Sequence, residues 1–85
     1  MKVSVLYRPN SEHARHVEEF LHEFQSRSPH KVEMVDVDSR EGLAVAALYD
    51  IQAYPAILAL TDEGELLNSW EGEIFPMIND LAAYA

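Results

Sequence analysis

The chain has 85 residues, 48% of them apolar and 25% charged, the balance of one folded globular domain spanning residues 1–85. Six basic against fifteen acidic residues give a formal charge of −9, which argues against binding nucleic acid or anionic membranes and permits basic partners. Zero cysteines exclude disulfides, thiol catalysis and cysteine-held metal sites, so packing must supply the stability. No apolar run approaches the roughly 20 residues of a membrane span. The first residues read as a strand and not as a signal peptide, so a cytoplasmic location is expected.

From Lys2 to Arg8 the chain alternates, with Val3, Val5 and Tyr7 on one side and Lys2, Ser4 and Leu6 on the other, which is a strand. Pro9-Asn10 ends it, and Ser11 is placed to cap a helix, with Glu12 in its first turn. Ala14, Val17, Phe20, Leu21 and Phe24 then form one apolar stripe, closed by Ser26-Arg27-Ser28-Pro29.

Val32, Met34, Val35 and Val37 mark a second strand, and Asp38 or Ser39 caps a second helix with Glu41 and Gly42 near its start. Leu43, Ala44, Ala47, Leu48 and Ile51 are expected to form its buried side. Tyr54-Pro55 breaks the pattern before Ala56-Ile57-Leu58-Ala59-Leu60, an apolar run suited to a central strand. Asp62-Glu63-Gly64-Glu65 reads as a hairpin turn, Leu66, Leu67 and Trp70 as the returning strand, and Gly72 as its end. Pro76 is expected in the first turn of a last helix, with Met77, Ile78, Leu81 and Ala82 as its buried stripe. Met34 and Met77 read as gap-filling residues, and Trp70, Phe75 and Tyr84 as packing residues.

The order β-α-β-α-β-β-α gives an α/β fold: a four-stranded mixed sheet with helices on both faces, its first two strands parallel. This order resembles the thioredoxin-like fold at close to glutaredoxin length, over the whole chain. The pieces that carry the resemblance are Val3 to Asn10, Val35 to Asp38, Ile51 to Ala56 with its proline, the turn at Gly64 and Trp70-Glu71-Gly72. The family's Cys-x-x-Cys falls on Ser11-Glu12-His13-Ala14, so that Ser11 stands for the attacking cysteine and Ala14 for the resolving one. Serine forms no disulfide, and thiol–disulfide exchange, glutathione-dependent thiol chemistry and iron–sulfur ligation are lost together.

The resemblance implies a cis proline at Pro55 and a groove made by Pro9, Asn10, Ser11, Glu12 and His13, facing Tyr54, Pro55 and Gly72. The backbone of Tyr54 would pair there with an extended peptide; the alternative is that Pro55 serves geometry alone. The leading reading is a redox-inactive binding module for a protein or extended peptide, acting as a monomer. A second is a glutathione-binding or non-thiol enzyme built around Ser11; glutathione transferases use Ser or Tyr near this helix start but carry an added helical domain. A third is a degenerate relative with no independent activity. A catalytic serine needs a base and an orienting acid, and only His13 is near in sequence. His13, His16 and a neighbouring glutamate have helical spacing, but so dense a charged face is expected to be solvated, and no metal or cofactor is assigned.

Overall fold

The alternation at the start of the chain is realised in a computed structural model that describes residues 1–28, 30–73 and 75–84. The elements in chain order are β1 (Lys2–Tyr7), α1 (Ala14–Arg27), β2 (Lys31–Asp36), α2 (Arg40–Leu48), β3 (Ala56–Leu60), β4 (Leu66–Glu71) and α3 (Ile78–Ala82). They form one sheet in the order β2-β1-β3-β4, with β1 parallel to β2 and antiparallel to β3, and β4 antiparallel to β3. The central strands β1 and β3 are the most apolar, as strands covered on both faces must be.

One face of the sheet packs Val3, Val5 and Tyr7 of β1 and Ile57 and Ala59 of β3 against Ala14, Val17, Leu21 and Phe24 of α1 and Leu81 of α3. The other packs Leu6, Ala56, Leu58 and Leu60 against Val37, Ala46 and Ile51 on and around α2. Each such aliphatic or aromatic side chain contributes about 1.5–3 kcal/mol when fully buried. Among the described residues, no helix is long and apolar enough to cross a membrane.

The buried side of α2 differs from the expected one. Leu43 and Leu48 are exposed, at 62% and 74%, and Ala44 and Ala47 also face outward. Gly42 and Ala46 face inward instead. A Cβ on Gly42 would lie 2.0 Å from the carbonyl oxygen of Asp36, so only glycine allows this approach, and it sets the rotation of the helix. Ser39 caps α2, its hydroxyl oxygen accepting from the Gly42 N–H at 2.9 Å. The helix ends at Leu48 with Tyr49 as its C-cap, and the positive φ of 54° at Asp50 turns the chain so that Ile51 enters the core.

Three further expectations are corrected. Met34 and Met77 are exposed, so neither fills a gap in the core. Pro76 precedes α3, whose N-cap is Met77, and is not part of its first turn. Helix α1 begins at Ala14 with His13 as N-cap, so Ser11 is not its cap and Glu12 lies before its first turn. The expected helix-closing Pro29 lies outside the described residues. Trp70 and Phe75 pack edge-on against Tyr84 and Phe20, as packing residues do.

Replacing Gly42 by alanine should lower stability by about 2–3 kcal/mol, because the backbone of Asp36 must move. Leu43→Ala on the outer side should change it by less than about 0.5 kcal/mol. Urea denaturation of the two variants checks both values, and equal losses would refute this orientation of α2.

Candidate functional site

Strand β1 ends at Tyr7 because Pro9 offers no donor to continue the ladder. The next residue, Arg8, becomes the centre of the loop that follows. Its N–H donates to His13 Nε2 at 3.1 Å, and its carbonyl accepts from the Ser11 N–H at 3.1 Å and the Ser11 hydroxyl at 2.6 Å. Its guanidinium Nε lies 3.2 Å from Asp38 Oδ2, and the guanidinium carbon sits 5.7 Å from the centroid of the Tyr54 ring. One residue thus joins the loop after β1, the turn before α2 and the loop before β3, through a cation–π contact and an ion pair. Both partners of that ion pair are largely exposed, so its role is geometric more than energetic.

The opposite loop is held from β4. The Tyr54–Pro55 peptide bond is cis. Glu71, the last residue of β4, accepts hydrogen bonds from the backbone N–H groups of Gln52 and Ala53. The Gly72 N–H donates to the Pro55 carbonyl at 2.9 Å. Gly72 adopts a φ of 89°, a conformation open to glycine at little cost, and nothing crowds the position of its missing Cβ. Gly72 therefore anchors the proline loop from the end of β4. Among the described residues, the Tyr54 backbone N–H and C=O form no hydrogen bond.

Pro9 and Asn10 are exposed, while Ser11, His13 and Tyr54 are half-buried and Pro55 and Ala14 buried. Of the two positions expected to stand for cysteines, Ser11 is thus the more accessible and Ala14 is covered by the core. Ser11 and His13 are each bonded to the Arg8 backbone and not to one another, so the two do not form a nucleophile–base pair. Glu12 and His13 line a cleft of about 320 Å³ together with His16, Glu73 and Phe75. Among the described residues, no group of three or more His, Asp or Glu side chains is placed to hold a metal ion.

Arg8 and Glu71 are the site residues that sequence reading passes over. Their partners are distant in the chain, Asp38 and Tyr54 for one and Gln52 and Ala53 for the other, and no local spacing marks them.

The fold matches solved structures along nearly its whole length. Thioredoxin 1 from the thermophilic eubacterium Thermosipho africanus is 16% identical, with a TM-score of 0.75 over 99% of this chain and 93% of that one. A structure described as a malarial protein is also 16% identical, with a TM-score of 0.67 over 96% of this chain and 89% of that one. The chain matches no protein-family model and no curated protein. The fold is thioredoxin-like, and it carries no cysteine.

Beneath the site, burial, and then the negative charges of Glu18 and Asp36, raise the Tyr7 phenol above its ordinary pKa of 10.0. Below that value Tyr7 is neutral in both folded and unfolded chains and costs nothing. Above it the unfolded chain ionises first, so stability falls as pH rises past about 10. The urea midpoint should drop more steeply between about pH 10 and 11.5 for the native chain than for Tyr7→Phe. Parallel profiles would show that Tyr7 ionises as freely in the fold as outside it.

Proposed function

We propose that the chain is a thioredoxin-like binding module without redox chemistry, and that it docks an extended segment of a protein along the Tyr54–Pro55 loop. The observation that carries this reading is the unpaired backbone of Tyr54, in a loop fastened on both sides. An extended peptide laid beside it would gain the backbone hydrogen bonds of strand addition. The loop is already ordered by Glu71, Gly72 and Arg8, so little conformational entropy would be lost on docking. The half-buried Tyr54 ring adds an amphipathic contact surface with few rotatable bonds. The absence of cysteine supports the non-redox part of the reading, because serine and alanine at positions 11 and 14 can neither attack nor store a disulfide.

Titrating a blocked hexapeptide of alternating threonine and valine into the ¹⁵N-labelled chain tests the reading. The largest shift should fall on the Tyr54 amide, and Tyr54→Ala should weaken binding by about three- to tenfold through loss of the ring contact. The bare outer edges of β2 and β4 are the competing places for strand addition. Shifts confined to those edges, with Tyr54 unmoved, would overturn it.

A further inference from the structure

A cleft between the start of α1 and the segment after β4 combines acidic and aromatic walls. The start of α1 and the residues before it supply Glu12, His13 and His16, and the segment after β4 supplies Glu73 and Phe75. Phe75 is fixed as a wall by its edge-on contact with Phe20, ring centroids 5.4 Å apart. No lysine or arginine lines the cleft. Elsewhere Glu19, Glu23 and Asp38 each have an arginine within ion-pair distance. Among the described residues, neither Glu12 nor Glu73 has such a partner. His13 accepts the Arg8 N–H through Nε2, an arrangement that requires that nitrogen to be unprotonated and adds no charge of its own. The cleft therefore joins an aromatic wall to two uncompensated carboxylates in a chain of net charge −9.

We infer that this cleft receives an arginine side chain of the docked segment, so that the partner is a basic extended peptide. The aliphatic stem would lie along Phe75 and the planar cation between Glu12 and Glu73. Along the chain, both walls adjoin residues that hold the docking loop. Glu73 follows Gly72, whose N–H holds the Pro55 carbonyl, and Glu12 and His13 come four and five residues after Arg8, whose guanidinium covers Tyr54. This inference deepens the docking reading above and rests on it for the path of the peptide.

The test uses two blocked hexapeptides of threonine and valine that differ only in one central residue, arginine or citrulline. Citrulline keeps the shape and most donors of arginine but carries no charge. The arginine peptide should bind about tenfold more tightly, and Glu12→Gln or Glu73→Gln should each reduce that ratio to about threefold, as expected for partly desolvated charge-assisted bonds. Glu63→Gln, in the turn between β3 and β4, should leave it unchanged. Equal binding of both peptides with Tyr54 shifted would overturn the cleft inference and leave the docking reading standing. An arginine preference that depends on Glu12 and Glu73 without any shift at Tyr54 would support the cleft and overturn the docking path. Binding of neither peptide would overturn both.

Discussion

Strand β1 is hydrogen-bonded along both edges and covered on both faces, pairing Lys2 to Tyr7 with β2 and Lys2 to Leu6 with β3. A slip of one residue would move Val3, Val5 and Tyr7 from the α1 face to the α2 face and bring Ser4 into the larger core. That double constraint fixes where the strand ends. It delivers Arg8 to the rim of the sheet with its backbone held by Ser11 and His13 and its side chain between Asp38 and Tyr54. The loop after β1 is consequently shaped by a strand that cannot move, and not by the helix cap that its sequence suggests.

The same sheet fixes the facing loop. Strand β4 pairs with β3 up to Ala56, and its last residue reaches back to the Gln52 and Ala53 amides. The two loops meet where Arg8 covers Tyr54. Cysteine is absent from this meeting place, yet the scaffold around it stays ordered without a thiol or a metal. Thiol chemistry is therefore closed to the chain wherever on this scaffold a cysteine would stand. Among the described residues, the Tyr54 backbone forms no hydrogen bond and the carboxylates of Glu12 and Glu73 form no ion pair.

The fold was legible wherever side-chain volume alternated with the period of its element. Val3, Val5 and Tyr7, the α1 stripe and the run Ala56 to Leu60 sit where their spacing places them. The reading failed where a residue acts through something other than its bulk. Gly42 orients α2 by lacking a Cβ, which turns Leu43 and Leu48 outward against their hydropathy. Ser11 has the chemistry of a helix cap, but its hydroxyl donates to a carbonyl three residues back, as serine commonly does in turns. Of the residues expected to form a groove, Tyr54 lies against Arg8, His13 is bonded to the Arg8 backbone, and Gly72 is bonded to Pro55. Arg8 and Glu71 were invisible as site residues because their partners are brought near only by the sheet.

The central claim is a loop fastened at Gln52, Ala53 and Pro55 with the Tyr54 backbone left free between the fastenings. Amide hydrogen exchange of the unliganded chain, read residue by residue by NMR, tests it most directly. Exchange should be slow at Gln52, Ala53 and Gly72, whose N–H groups are bonded to Glu71 and Pro55, and fast at Tyr54. Protection at Tyr54 in the free chain, or fast exchange at Gln52 and Ala53, would contradict it.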